Sequence, residues 1–341
     1  MKSLPCTFVL LVSLITRNVY SQDQPTIHRI KSGPQTVEWG YFDPAAKPIL
    51  TIHSGEIVEL DTPLAGSKEM ESMGMPENLI RPSMRELEAV TDRSKTYGNI
   101  LVGPIAVEEA EPGDVLEIHI LEIRIADDYA VNAFHPGGGT LPEDFPYVRA
   151  RAIPLDRDRN VALFAPGIEI PLRPFFGTMG VAPPPAVGRI SDGPPGNYAG
   201  NLDNKDLVAG TTLYIPVHTK HALFSVGDGH AGQGNGEVDG TAIEAALWGR
   251  FQLSVRKDMK LKWPRAETPD HYMTMGLDPD LNKAAQIAVR EMVDYLVTER
   301  HLTPDQAYML CSMAVDLQVT ELVDGFKGIH ALLPKRIFRA P

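Results

Sequence analysis

Residues 224–244, FSVGDGHAGQGNGEVDGTAIE, constrain this chain more than any other stretch. Six of them are glycine, and Asp228, His230, Glu237, Asp239 and Glu244 stand between and after the glycines. Glycine lets a backbone take positive φ and approach a ligand closely, at an entropic cost. A run this dense in glycine and in metal-capable side chains is a poor plain connector. Apolar stretches at 211–224 and 244–255 flank it and read as strands. The expected local structure is a rigid loop between sheet strands, holding carboxylates and an imidazole in a cleft.

The rest of the chain supports a sheet-based fold. Gly and Pro number 29 each, which favours many turns. Residues 49–53, 57–60 and 114–123 are β-branched or alternating runs, and Pro112-Gly113 signals a turn before the last of them. Further strands are expected at 161–164 and 168–172. Residues 64–94 read as a surface insertion with a short helix at 83–90. The C-terminal part changes period. Ala284, Ile287, Ala288, Met292, Leu296 and Val297 follow helical spacing over 281–300. Thr303-Pro304-Asp305-Gln306 is a capping box with Pro at the first helical position, so a second helix follows antiparallel. Strands near 318–323 and 328–338 close the chain. The expected fold is β-rich, with sandwich- or barrel-like sheets over 22–260. A smaller α+β portion with a helical hairpin follows over 261–341.

Lys2, an apolar run at 8–15 and Ser21 suit a signal peptide over 1–21, so export to a periplasm or beyond is expected. That apolar run is too short to span a bilayer. The formal charge of −12, with no basic run, makes nucleic acid and anionic lipid poor partners. After signal removal only Cys311 remains, which excludes an internal disulfide. Its apolar helical setting suits a buried core thiol.

No Cys-x-x-Cys, His-Glu-x-x-His, phosphate-binding loop or Gly-x-Ser-x-Gly is present. The chemistry-bearing set is Asp61, Asn201, Asp203, His221, Asp228, His230, Gln233, Glu237 and Glu244. Oxygen ligands with one or two imidazoles suit Zn²⁺, Ca²⁺ or Mn²⁺. A bound cation lowers the pKa of water to about 7, and a neighbouring carboxylate serves as general base. Each residue also has a plainer role: Asp228 as a turn residue, Glu237 as a solvated charge, Asn201 and Asp203 as an Asx turn. His53 and His135 are weaker candidates.

Several ordered motifs resemble the acetamidase/formamidase family. They are Val102-Gly-Pro-Ile-Ala-Val through Gly113-Asp-Val-Leu-Glu-Ile, Gly180-Val-Ala-Pro, Gly200-Asn-Leu-Asp, and Ala222-Leu-Phe-Ser-Val-Gly-Asp-Gly-His-Ala-Gly-Gln-Gly-Asn-Gly-Glu-Val. The resemblance runs from about residue 30 to 340. It implies hydrolysis of short aliphatic amides to ammonia and carboxylate, a divalent metal near Gly-Asp-Gly-His, and a homodimer or larger oligomer. Asp228, His230, Glu237, Asn201 and Asp203 fall on the family's motifs. Two positions depart from the pattern: Asn235 stands where Asp is usual, and Ala199 where Gly is usual.

The expected mechanism has Asp61, Asp228, His230 and Asp203 hold Zn²⁺ or Ca²⁺. Glu237 is the base, Glu244 a second candidate carboxylate and Asn201 an oxyanion donor. Two alternatives stand beside it. One is hydrolysis of a larger or cyclic amide; the other is an exported protein that binds a metal or small ligand without turnover.

Overall fold

The computed structural model describes residues 24–72, 74–90 and 98–339. The expected signal peptide lies outside the described residues. Two large sheets carry the chain. The first has nine strands, in the spatial order Ile27–Ile30, Glu56–Thr62, Leu247–Arg256, Val115–Ile125, Thr212–Pro216, Arg265–Glu267, His271–Asp278, Lys327–Pro334 and Asp316–Val319. The second has six, running Ala199–Asn201, Phe175–Gly180, Phe224–His230, Ile100–Val107 and Val37–Trp39, with Leu50–Ile52 parallel to Ile100–Val107.

The strand Leu247–Arg256 shows why this sequence makes sheets. Leu247, Gly249, Phe251 and Leu253 are buried, while Trp248, Arg250 and Gln252 between them are half-buried. That alternation is the two-residue period of a strand with one covered face. Phe251 crosses to the other sheet and meets Phe176 and Phe224 at ring separations of 5.3 and 6.4 Å. Such aromatic pairs contribute about 1 kcal/mol each beyond their buried area. Val58, Leu60, Ile118 and Leu213 from one sheet share a core with Val102, Ile105, Met179 and Val226 from the other. The β-rich expectation is what the chain adopts, as two sheets face to face.

The division at residue 260 falls inside the nine-stranded sheet, because strands from 265 onward join it. The helix Leu281–Arg300 covers the far end of this sheet, burying Ala284, Ala288, Met292 and Leu296 against Ile329, Ala331 and Leu333. Gly276 lets it lie close: a Cβ there would stand 2.0 Å from the Ala284 carbonyl oxygen. The capping box at Thr303 forms as expected and opens the helix Pro304–Ala314. Cys311 is buried there as a free thiol. Residues 67–72 and 82–90 are short helices of the expected insertion, and Met70, Met75, Ile80 and Met84 pack with Val131. Val131 lies on Tyr129–Phe134, the inner edge of a four-stranded sheet that also holds Arg149–Asp156, Val161–Ala165 and Ile168–Pro171.

Candidate active site

The Gly-Asp-Gly-His segment is a strand rather than the loop its glycines suggested. Phe224–His230 runs through the middle of the six-stranded sheet, paired on both sides. Its glycines serve close packing. A Cβ at Gly227 would stand 2.2 Å from the Ile100 carbonyl oxygen, and one at Gly229 would stand 2.4 Å from that of Ala245. Asp228 interrupts the strand with φ 58°, and Asp203, Glu237 and Ala199 are left-handed too, at 45°, 46° and 64°. Left-handed backbone costs a non-glycine residue roughly 1–2 kcal/mol. Such strain gathers at functional sites when the surroundings enforce it.

Three of these, Asp203, Asp228 and Glu237, surround one imidazole. His230 is 1 % exposed, and three groups of side chains meet on or beside it. Asp203, Asp228 and His230 form one; His230, Glu237 and Glu244 form another; Asp203, Glu237 and Asp324 form the third. Within each group the ligand atoms lie within 4.8 Å of one another. The ring is oriented from outside. Nδ1 lies 2.9 Å from Gln233 Oε1, and Gln233 Nε2 donates to the Asp203 carbonyl at 2.9 Å. That hydrogen bond makes Nδ1 the donor and turns Nε2 inward. Nε2 lies 3.4 Å from Asp228 Oδ1, 3.4 Å from Glu244 Oε2 and 3.9 Å from Glu237 Oε1. On the far side, Asn201 Oδ1 accepts from Thr178 Oγ1 at 2.5 Å, and Asn201 Nδ2 donates to Asp324 Oδ2 at 3.1 Å.

Four carboxylates stand within 4 Å of one imidazole, a fifth, Asp324, joins them through Asp203 and Glu237, and the electrostatics follow. Burial, reinforced by neighbouring acids, raises Asp203 and Glu237 well above the usual carboxylate range. Burial likewise lifts Asp324 to about 6 and Glu321, behind it, to about 8. Burial alone would lower His230, but Glu244 and Asp228 outweigh it and hold the imidazolium well above its ordinary value. Acids this close cannot all ionise without counter-charge. Both carboxylate oxygens of Asp203 and Nε2 of His230 are buried without a hydrogen-bond partner. Gly177 leaves the space between them open: a Cβ there would meet Asp228 Oδ2 at 2.3 Å, Asp203 Oδ1 at 2.5 Å and His230 Cε1 at 2.9 Å. Orphaned ligand atoms around a cradle that a methyl would fill are what a divalent cation requires. These residues can hold one.

A model of the acetamidase/formamidase family matches residues 42–192 and 188–340. The chain belongs to the acetamidase/formamidase family. Among relatives of this acetamidase/formamidase-family chain, a formamidase of Methylophilus methylotrophus is 30 % identical over 223 residues, half of this chain and 54 % of the relative. The chain thus spans about half the length of the curated relatives it matches. Solved structures cover more. An acetamidase of Bacillus halodurans superposes with a TM-score of 0.77 at 30 % identity, over 91 % of this chain and 98 % of that one. One from Yersinia enterocolitica gives 0.80 at 27 % identity, over 94 % and 96 %.

The structure brings together Asp203, Asp228, His230, Glu237, Glu244 and Gln233 from the expected set, and corrects two members. Asp61 stands in none of the three groups, because its oxygens accept from the Ser32 amide at 3.2 Å and the Ser32 hydroxyl at 2.7 Å. Asn201 gives its amide to Asp324, so it holds that carboxylate rather than offering a free oxyanion donor. His53 is paired with Glu109 at the surface, and His135 is exposed beside the Pro136 carbonyl. His221 sits at the surface with Nδ1 on the Glu108 carbonyl. Sequence reasoning missed Asp324, whose Asp-Gly setting reads as an ordinary turn, and Gly177. The family departure at Asn235 leaves the cluster's charge untouched, since its amide donates to Gln318 Oε1 at 2.6 Å. Gln318 lines a polar cleft of about 550 Å³ whose walls include none of the cluster's acids. Its chief charged groups answer one another, with Arg173 paired to Asp206 at 2.7 Å. We therefore place the chemistry at the orphaned ligand atoms and not in this cleft.

Asp192 supports the cluster from behind. It is fully buried and accepts the Asn99 amide at 2.9 Å, while Asn99 Nδ2 reaches Thr178 and Asn201 at 3.3 Å each. Burial raises Asp192 to about 7, and it raises Glu38 to about 7 as well, aided there by Asp43. In an unfolded chain both acids titrate near 4. Between these values the folded protein holds protons that the unfolded chain releases. Stability should therefore fall as pH rises from about 4 to about 7, with the full penalty present above that range. Thermal melts of chelated protein across this range should show the melting temperature dropping with pH. A flat or rising profile contradicts the assignment.

Proposed function

We propose that this protein hydrolyses the C–N bond of carboxamides to ammonia and a carboxylate, with Asp203, Asp228 and His230 as ligands of a divalent cation, Zn²⁺ or Ca²⁺. The observation that carries this reading is the meeting of four carboxylates on one buried imidazole, with Asp203 oxygens and His230 Nε2 left unpartnered. Membership of a family that includes formamidases and acetamidases supplies the substrate class. A cation held there supplies Lewis-acid polarisation and a water of lowered pKa.

The chain's own groups do the rest. Gln233 fixes the His230 tautomer so that Nε2 presents its lone pair inward. Glu237, with its raised pKa, takes the proton of the attacking water and returns it to the leaving nitrogen. Glu244 keeps one oxygen on the Ala242 amide at 2.7 Å and turns the other to His230. It anchors the segment that carries Glu237. Asn201 and Thr178 hold Asp324 and Asp228 at the rear wall. The signal-like residues 1–21 make an exported enzyme part of the same proposal, as a homodimer or larger homo-oligomer.

The test is ammonia release by the full chain from formamide, acetamide and longer carboxamides. Release from any of them supports the reading. Folded, metal-loaded protein that releases none from the whole panel overturns it and favours a binding protein.

A further inference from the structure

The segment that carries Glu237 has an exposed outer side. Glu237 is buried, whereas Val238 beside it is open to solvent. Val238 walls an apolar cleft of about 280 Å³ together with Phe134, Leu141 and Phe145. The cleft is fixed from within. Thr140 donates both its amide and its hydroxyl to the Val238 carbonyl, at 2.8 and 2.9 Å. Phe134, Phe145 and Tyr147 pack edge-on at centroid separations of 5.3 to 6.4 Å, which holds this surface in one shape.

Leu141, Phe145, Tyr147, Val148 and Val238 each leave between 44 and 59 % of their surface exposed. At about 200 Å² for a large side chain, they offer roughly 500 Å² of apolar surface in one patch. That is near the most a lone soluble protein leaves open. Two copies meeting on it would remove roughly 1,000 Å² from water, the area at which a specific interface begins. The charges beside the patch say what covers it. Glu143 and Asp144 lie between Leu141 and Phe145, and Arg149 follows Val148. All three are exposed, and among the described residues none of them has an ion-pair partner. The run 141–149 thus carries two acids in its first half and a cation at its end. A two-fold axis sets residue i of one copy against residue j of the other, and j against i. Two such runs laid antiparallel put the acids of each on the cation of the other. A patch rimmed by one sign of charge would repel its own copy; this one attracts it.

We propose that residues 134–149 and Val238 form the surface on which two copies of this chain pair across a two-fold axis, with Glu143 and Asp144 set against the partner's Arg149. This gives the proposed homo-oligomer its interface. It does not depend on the hydrolase reading, because its test reads mass and not turnover. Sedimentation velocity of the full chain should give twice the chain mass. Arg149→Glu leaves only acids on the rim, and Glu143→Lys with Asp144→Lys leaves only cations. Like charges brought together should weaken association about 100-fold in each variant. Mixed one to one, the two variants should pair again, since each supplies the charge the other lacks. A chain that had merely misfolded would not be rescued in this way. Wild type that sediments as a monomer overturns the proposal. An assembly that both variants leave intact, or a mixture that stays apart, overturns it as well.

Discussion

Glu237→Gln should lower kcat for amide hydrolysis about 10³-fold and at the same time raise the melting temperature. General acid–base groups contribute about 10²–10⁴ in rate, and the amide cannot take the proton that the carboxylate takes. The stability gain has a separate cause. Glu237 is buried among Asp324, Glu244 and Asp228, which together with desolvation resist its ionisation. Glutamine keeps the shape and removes the repulsion. Opposite signs for activity and stability distinguish a working base from a structural carboxylate, whose loss would lower both. A Glu237→Gln protein with near-normal turnover would remove Glu237 from the mechanism.

Gly177→Ala should be nearly as damaging, although it removes no functional group. The added Cβ would overlap Asp228 Oδ2 and Asp203 Oδ1, which would have to shift by several tenths of an ångström. A displacement of about 1 Å at a reacting centre costs on the order of 10²-fold in rate. The expected result is a loss of that size together with weakened metal binding by titration. The strand Phe175–Gly180 should stay paired, since Gly177 has no left-handed backbone requirement. Gly33→Ala, at a position with open space around it, is the matched control. Full activity in Gly177→Ala would mean that the space between Asp203, Asp228 and His230 is not used.

Local signals were the legible ones. The helix Leu281–Arg300 and the Thr303 cap could be read directly, because apolar period and capping are both encoded within a few residues. The strand Phe224–His230 was hidden by its own glycines. They read as loop punctuation, yet they are there because the Ile100 and Ala245 backbones press against it. Cross-sheet placement has no local signature. Asp324 reaches the cluster because residues 320–322 exchange backbone hydrogen bonds with Gly236, 84 positions from Thr320 in the chain. Asp61 misled for the same reason. An acid near the end of a strand looks alike whether it faces a cleft or caps a turn, and here Ser32 takes it. The expected oxyanion donor Asn201 gives its amide to Asp324, a contact across 123 positions that no local signal carries.

The measurement closest to the central claim is ammonia release before and after chelation, with metal content determined on the same sample. The account predicts bound divalent metal as purified, release that stops on chelation, and release that returns when one ion is restored. Asp203→Asn and Asp228→Asn should fail to recover in the same assay. Turnover that continues undiminished in protein shown to be metal-free would contradict the assignment of Asp203, Asp228 and His230 as ligands of a working cation.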